Sequence, residues 1–266
     1  MQSYIKDIRK DGKRCFTALD IVEQFHVSHS HARVALHRLL KTGDVISPAR
    51  GLYVIVPPEH QPHGSIPAQE LVPVLMQYLG ANYYVALLTA GLFHGATHQK
   101  PSRFQVISDK RIKHPLAFGD VEIDFIYKKS ISRLPTQDFV VSTGYLKIAT
   151  PELVALDLLN YPNHAGGLNH IATVFSELIE KLDAVKLINL AKDIDAEHQL
   201  QRIGYIIEHI EVVDDNDAEV IINALAPYVT MRKQKYLPLA SEIPKTGYPR
   251  CKKWRIIENA EIESDL

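Results

Sequence analysis

The sequence has 266 residues, 46% of them hydrophobic and 23% charged, and its formal net charge is −1. This composition is ordinary for a soluble globular protein, and the length allows about two domains, each with its own core. No apolar run reaches the ~18 residues that a membrane span needs, and the N-terminus lacks the apolar core of a signal peptide. We therefore expect a cytoplasmic protein with no membrane partner.

Two short amphipathic segments separated by a tight polar turn predict a helix-turn-helix. The first segment covers residues 16–25, the turn 26–28 and the second segment 29–40. This spacing suits a first helix that supports a second helix lying in a DNA major groove. We expect Ser28 or Ser30 to cap the second helix. Its apolar side chains, which are predicted to dock on the first helix, are Val34, Ala35, Leu36, Leu39 and Leu40.

A short hairpin after the second helix predicts the wing of a winged helix-turn-helix. Its strands cover residues 45–46 and 52–56, and Arg50 lies at the tip of the turn between them. The predicted DNA contacts are hydrogen-bonding side chains on the second helix and on the wing, where base edges and phosphates come within reach. They are Ser28, His29, Ser30, His31, Arg33, His37, Arg38, Arg50 and Tyr53.

The local charge supports an interaction with nucleic acid. Up to residue 55, nine lysines and arginines outnumber five acidic residues, so this segment carries +4 and the remainder −5. A basic N-terminal segment followed by an acidic remainder is typical of a DNA-binding module attached to a domain of another function. The alternative is a helical hairpin that binds only proteins. It is disfavoured because the polar residues gather at the start of the second helix and on the wing.

Residues 56–67 predict a boundary between domains. They contain four prolines and one glycine, which break helices and strands alike. We therefore predict a winged helix-turn-helix domain over residues 1–58, a linker over 59–67 and a C-terminal domain over 68–266.

The order of elements in the C-terminal domain predicts an α+β fold. A helix over 68–79 precedes an apolar segment, 83–93, which is predicted to be a buried central helix. Thr150, expected to cap the helix with its side chain, and the proline after it predict the start of a helix that ends at Tyr161. Strands are predicted at 103–108, 121–128, 139–142 and 145–148, helices at 169–181, 184–194, 196–211 and 217–228, and an extended tail at 236–239 and 253–257. A small sheet followed by a helical portion indicates α+β rather than a doubly wound sheet.

Several segments, taken in order, carry a family resemblance that covers most of the chain. They are Arg50 to Tyr53 at the wing, Phe93 to Pro101, Tyr145 to Leu159, Gly166 with Gly167, Gln201 to Glu208, and Lys253 to Asn259 in the tail. Together they resemble the AbiEi antitoxins of type IV toxin–antitoxin, abortive-infection systems. No segment is diagnostic alone, and the ordered set carries the resemblance.

The resemblance implies a protein with two tasks in phage defence. The winged helix would bind double-stranded DNA at inverted repeats in the promoter of its own operon and repress transcription. The C-terminal domain would counter a toxin that resembles nucleotidyltransferases. Antitoxin and toxin of type IV need not form a stable complex, so direct contact stays open. The residues themselves indicate no catalytic set, no metal site and no cofactor, and we expect the protein not to be an enzyme.

The best enzymatic alternative is a metal-dependent nuclease of a defence system that uses the winged helix for targeting. Asp120, Glu122 and Asp124, with Lys128 and Lys129 beyond them, resemble the carboxylate-and-lysine strand of such nucleases. The solvent face of an amphipathic strand is the favoured interpretation of these residues. A third interpretation is a repressor with a small-molecule sensor domain, and no convergent polar pocket is visible in the sequence to support it.

Three further groups of residues favour structural roles. His94 and His98 are four apart, but no acidic residue follows them, so a role at a helix end is favoured over a metal site. Residues 250–255 mix basic side chains with Trp254, and a tryptophan packed on the body is favoured over nucleic-acid contact. Cys15 and Cys251 predict two reduced thiols.

Overall fold

The computed structural model of the protein describes residues 2–97, 100–211, 215–231 and 235–262. Their backbone forms two compact units. The first unit comprises Met1–Val85, Ser102–Arg133 and Gln137–Ile148, and the second comprises Ala86–Pro101, Leu134–Thr136 and Ala149–Leu266. The three predicted domains stay a prediction, and both of their boundaries, at 58 and 68, fall inside the first unit.

The N-terminal part of the first unit has the element order of a winged helix. Its elements are α1 (Gln2–Lys10), β1 (Cys15–Thr17), α2 (Ala18–Phe25), α3 (His29–Thr42), β2 (Val45–Ala49) and β3 (Leu52–Ile55). The strands form an antiparallel sheet in the order β1-β3-β2. The two helices and the hairpin were predicted from the sequence, whereas α1 and β1 were not.

One hydrophobic core holds these elements together. Its buried members are Ile5, Ile8, Phe16, Ile21, Ala32, Leu36, Leu39, Val45 and Ile55. The ring of Phe16 stacks on Tyr53 with 5.7 Å between centroids, and Tyr4 meets Phe16 and Phe25 edge-on. The core therefore joins α1 and β1 to the helix-turn-helix and the wing.

The docking face of α3 differs from the predicted one. Ala32, Leu36 and Leu39 are buried, while Val34 is 53% and Leu40 37% exposed. Positions 32, 36 and 39 share one side of a helix with 3.6 residues per turn, and position 34 lies on the opposite side. The apolar character of Val34 and Leu40 was therefore a misleading guide to burial.

A six-stranded sheet forms most of the rest of the first unit. The elements of this region are α4 (Ala68–Leu79), β4 (Tyr83–Val85), β5 (Phe104–Ser108), β6 (Leu116–Phe118), β7 (Val121–Tyr127), β8 (Thr136–Val141) and β9 (Gly144–Ala149). The strand order is β6-β7-β5-β4-β9-β8. Strand β4 pairs antiparallel with β5 and parallel with β9, and β5 pairs parallel with β7.

The prediction of one buried helix over 83–93 is wrong for its first part. Residues 83–85 form strand β4, and helix α5 covers only Leu87–Phe93. Leu87, the first residue of α5, takes a positive φ of 53°, which ends the extended backbone. An apolar run without periodicity does not distinguish a buried strand from a buried helix, and here the run contains both.

The predicted linker is an ordered part of the first unit. Pro58–His63 form a 3₁₀ helix, and Ser65 and Ile66 behind it are buried. The His63 carbonyl accepts a hydrogen bond of 3.0 Å from the Asp120 N–H, and His63 Nδ1 lies 3.1 Å from Asp120 Oδ2. The segment is thus bonded to the turn between β6 and β7.

Helices dominate the second unit. They are α5, α6 (Pro151–Asn160), α7 (Leu168–Leu178), α8 (Ala184–Asp193), α9 (Glu197–His209) and α10 (Asp215–Met231), followed by the strands β10 (Leu237–Pro238), β11 (Arg250–Cys251) and β12 (Ile256–Ile257). The three strands form a small sheet in the order β10-β12-β11. The predicted α+β class is confirmed. None of the helices in the described part of the chain combines the length and apolar character needed to cross a membrane.

Thr150 and Trp254 of the second unit differ in how far they follow their predicted roles. Thr150 occupies the N-cap position of α6, but its side chain makes no capping bond and its buried Oγ1 has no partner among the described residues. The predicted capping role of Thr150 is therefore wrong. Trp254 is 0% exposed, as the sequence indicated, and its Nε1 donates a 2.5 Å hydrogen bond to Glu208.

Candidate nucleic-acid interface

Side-chain caps fix the two helices of the helix-turn-helix. The N–H of Asp20 donates to Thr17 Oγ1 and the N–H of Thr17 donates to the Asp20 carboxylate, at 3.2 and 2.6 Å, which forms a capping box at the start of α2. Ser28 caps α3 by accepting a 3.4 Å hydrogen bond from the N–H of His31. The Ser30 hydroxyl lies 2.8 Å from that of Ser28. Of the two predicted caps, Ser28 is therefore the one used.

The exposed face of α3 is polar and basic. The predicted contact residues on this helix and its cap are all exposed, namely Ser28, His29, Ser30, His31, Arg33, His37 and Arg38. Arg33, His37 and Lys41 follow one another at intervals of four and form a row along the helix. Lys41 was not among the predicted contacts, although the same spacing points to it. Within the described ranges no carboxylate pairs with Arg33 or Lys41, so both side chains are available to phosphates.

The tip of the wing is anchored on two sides. Arg50 is exposed, and its backbone carbonyl accepts a 2.9 Å hydrogen bond from the hydroxyl of Tyr78 on α4. The carbonyl of Gly51 accepts a 3.0 Å bond from the N–H of Ala18, the first residue of α2. The Arg50 side chain is thus presented from a fixed turn. Tyr53 differs from the other predicted contacts because it is half-buried against Phe16.

A second basic surface lies on α1 and was not predicted. An open groove of about 480 Å³ is lined by Lys6, Arg9, Lys10, Gly12, Arg14 and Glu59. Four cations against one carboxylate give this groove a positive potential, which attracts polyanions. These charges are visible in the sequence, but their grouping on one surface is not, because α1 itself was not predicted.

The carboxylates of the nuclease alternative do not gather into one site. Glu122 accepts a 2.9 Å hydrogen bond from Arg103 Nε, and Asp120 is held by His63. Asp124 lies opposite Gln105 in the register of β7 and β5. Within the described residues no three His, Cys, Asp or Glu side chains are close enough to hold a metal ion. The ion pair with Arg103 gives Glu122 a structural partner.

Of the two histidines considered as a pair, His94 lies within the described residues. His94 lies at the C-terminal end of α5, and its Nε2 is 2.7 Å from the carbonyl oxygen of Ala149. This contact agrees with a structural role at a helix end. His98 lies outside the described residues.

The fold and this surface together define a winged helix-turn-helix with an exposed basic helix, joined to an α+β body. Residues 84–209 match the family model of the AbiEi antitoxin C-terminal domain, from the second residue of β4 to the end of α9. The match confirms the resemblance found in the sequence: the chain carries an AbiEi antitoxin C-terminal domain. A domain of this family supports the role of an antitoxin in a type IV toxin–antitoxin system.

Among solved structures, the chain is similar to the crystal structure of the RV2827C protein from Mycobacterium tuberculosis. The TM-score is 0.63 at 13% sequence identity, and the alignment covers 96% of this chain and 89% of that one. At this identity the similarity concerns the fold alone, and it extends over the N-terminal part as well as the antitoxin domain. No curated protein matches the chain.

Proposed function

We propose that this protein represses its own operon by binding inverted repeats in the promoter, and that it counters a nucleotidyltransferase-like toxin in the cytoplasm. The observation that carries the DNA-binding half is the exposed row of Arg33, His37 and Lys41 on α3 beside the anchored tip of the wing. The antitoxin half rests on the family match over residues 84–209. The action against the toxin needs no catalytic group of this chain.

The roles of the side chains follow from their positions on α3 and the wing. The first turns of a recognition helix come closest to base edges, so Ser30, His31 and Arg33 would read the sequence. Arg38 and Lys41 lie further along the helix, where phosphates are the nearest groups. Arg50 would reach the backbone or the minor groove from the wing. Inverted repeats call for two copies of the protein, each on one half-site.

Base contacts from α3 and backbone contacts from the wing predict two different mutant phenotypes. Arg33→Ala should weaken binding to the operator by about 1–3 kcal/mol and flatten the preference for operator over random DNA, because a base contact is lost. Arg50→Ala should weaken both kinds of DNA more evenly, because a phosphate contact carries little sequence information. Titrations of full-length protein against DNA from upstream of its own gene, and against random DNA of equal length, measure both effects.

Arg133→Ala is the matched control for these arginine variants. Arg133 is an exposed arginine of the same unit that lies outside the winged helix. Its replacement should leave both titrations unchanged. An Arg33→Ala protein that loses affinity for both DNAs equally would contradict the assigned base contact. If neither Arg33 nor Arg50 affects binding, this surface is not the DNA interface.

Antitoxin action without catalysis predicts that the carboxylates of β7 are dispensable. In cells that express the cognate toxin, the Glu122→Ala, Asp124→Ala double variant should restore growth as well as the wild type. Arg33→Ala should also restore growth but should release a reporter gene placed behind the operon promoter. Growth curves and reporter activity in the same strains provide the measurement. A folded double variant that fails to protect the cells would instead favour the nuclease interpretation.

A further inference from the structure

A pocket in the second unit brings together polar side chains that are far apart in the sequence. It has a volume of about 260 Å³ and lies between α6, α7, α9 and the loop that follows β10. Its polar lining is Asn160, Gln199, Arg202, Ser241 and Glu242. These residues come from three separate stretches of the chain, which is why the sequence showed no convergent pocket.

Hydrogen bonds hold the floor of this pocket in one arrangement. Gln199, only 4% exposed, donates from Nε2 to Asn160 Oδ1 at 2.8 Å, and its Oε1 accepts from Arg202 Nη1 at 3.0 Å. Arg202 Nε donates to the carbonyl oxygens of Pro238 and Leu239, at 3.0 and 3.3 Å. Bonds from Nε and from Nη1 therefore fix the orientation of the guanidinium plane. Its Nη2 group takes part in neither.

The charge of Arg202 is not neutralised by an ion pair. Within the described residues no carboxylate forms a salt bridge with its guanidinium, although Glu242 contributes a favourable field. Burial lowers the pKa of Arg202 from its usual value, and Glu242 opposes that shift only in part. A half-buried cation that makes no ion pair is costly, and an oxyanion placed on its Nη groups would offset that cost.

The rim of the pocket is held in place by a buried asparagine. Asn259 is 2% exposed and bonds to both the N–H and the carbonyl of Ala240, at 3.1 and 2.8 Å. It also donates to the carbonyl of Ile243 at 3.0 Å. The loop between Ala240 and Ile243 carries Ser241 and Glu242 at the mouth of the pocket. A rim that is fixed before a ligand arrives lowers the entropy lost on binding.

The walls of the pocket are apolar. They are formed by Leu159, Leu168, Ile171, Leu239 and Ala240. Such walls accommodate a compact hydrocarbon or aromatic body, while the few polar groups orient it. The exposed carboxylate of Glu242 disfavours ligands that carry several negative charges.

We propose that this pocket binds a small molecule with a single carboxylate or phosphate group on a compact, partly apolar body. The oxyanion accepts hydrogen bonds from the Nη groups of Arg202, with the Asn160 amide as a further donor at its edge, while the Ser241 hydroxyl donates to Glu242 at 3.3 Å. The site goes beyond the proposed function, because it requires neither DNA binding nor a toxin. It gives the second unit the means to respond to a metabolite.

Calorimetric titration of the full-length protein tests this site with three probes: benzoate, phenyl phosphate and inorganic phosphate. Sodium chloride keeps the ionic strength equal in all titrations. We expect benzoate or phenyl phosphate to bind, and the stronger of the two identifies the class of oxyanion. Inorganic phosphate should bind more weakly than phenyl phosphate, because it makes no contact with the apolar walls. Absence of binding by all three probes overturns the proposal.

Two variants with opposite expected effects tie the binding to these residues. Gln199→Glu places a carboxylate beside Arg202, where it still accepts the bond from Nη1, and should weaken probe binding at least about tenfold. Glu242→Gln removes a repulsive charge at the mouth and should tighten binding roughly threefold. A purely structural role of Arg202 would produce neither change.

Gln77→Glu, at the exposed end of α4, is the control for the added negative charge. It should bind the probes like the wild type. Thermal unfolding of each variant establishes that it is folded. Unchanged binding by a folded Gln199→Glu protein, or weaker binding by Glu242→Gln, overturns the assignment of the site.

Discussion

Gly204→Ala should lower the free energy of unfolding by about 3 kcal/mol or more, since overpacking a rigid core site costs at least this much when the neighbours cannot move. A Cβ atom at position 204 would lie 2.0 Å from Cζ3 and 2.4 Å from Cε3 of the Trp254 ring. That ring is buried, its Nε1 is bonded to Glu208, and the Trp254 carbonyl accepts a 3.1 Å bond from Gln201. Burial and these two hydrogen bonds therefore hold the Trp254 residue in its place.

Gly91→Ala is the matched control, because Gly91 also lies within a helix. A Cβ at position 91 would meet Val174 Cγ1 at 3.6 Å, an ordinary van der Waals distance. Alanine is favoured over glycine inside a helix by up to about 1 kcal/mol, so this variant should be as stable as the wild type or slightly more stable. Urea unfolding followed by circular dichroism and by the fluorescence of Trp254 compares the two proteins.

A double variant isolates the cause of the expected loss. If the clash with the ring destabilises Gly204→Ala, then Trp254→Leu should cost less in that background than in the wild type. Additive losses would mean that the contact between Gly204 and Trp254 is not responsible. Equal stability of Gly204→Ala and Gly91→Ala would contradict the close packing itself.

This contact shows why part of the fold could not be predicted. Two of the segments that carry the family resemblance, 201–208 and 253–259, are about 50 residues apart in the chain, yet Trp254 lies on α9. Gln201, Gly204 and Glu208 are spaced so that they share one face of that helix, and all three meet the tryptophan residue. Neither segment contains a local signal that it contacts the other, because this contact depends on the tertiary fold.

Elements with local signals were predicted well. The helix-turn-helix was located within two residues because capping side chains and helical periodicity are properties of neighbouring residues. The segment 83–93 lacked such a signal. Its first part pairs with β5 and β9, and both partners follow later in the chain. A buried apolar run thus took its conformation from strands that the sequence did not place beside it.

The candidate DNA interface was more predictable than the pocket of the second unit. The exposure of Arg33 and His37 follows from the period of one helix, and the same period includes Lys41, which was not predicted. The pocket requires Gln199, Arg202 and a loop after β10 to meet, which no spacing in the sequence expresses. The charge balance indicated which part of the chain is basic, whereas the proposed small-molecule site depends on how the helices pack.

The ordered conformation of residues 58–67, which follow the wing, could also not be predicted from the sequence. Prolines and a glycine are equally typical of a mobile linker. Gly64 and Gly119 meet where this segment crosses the turn between β6 and β7. A Cβ at position 119 would lie 1.9 Å from the carbonyl oxygen of His63 and 2.8 Å from the Cα of Gly64. All the atoms that it would meet belong to the backbone, which cannot yield as a flexible side chain can.

Gly119→Ala should therefore destabilise the first unit by about 3 kcal/mol or more, because the substitution combines a steric clash with a left-handed backbone. Gly80→Ala separates the two contributions: its φ of 59° is close to the 55° of Gly119, and nothing lies within 4 Å of a Cβ there. Gly80→Ala should lose only about 1–2 kcal/mol, the cost of a side chain in that conformation. Hydrogen exchange should then show faster amide exchange over residues 58–67 and 118–121 in Gly119→Ala but not in Gly80→Ala. Equal losses of stability in the two variants, with residues 58–67 protected in both, would mean that this segment does not depend on the approach of the two glycines.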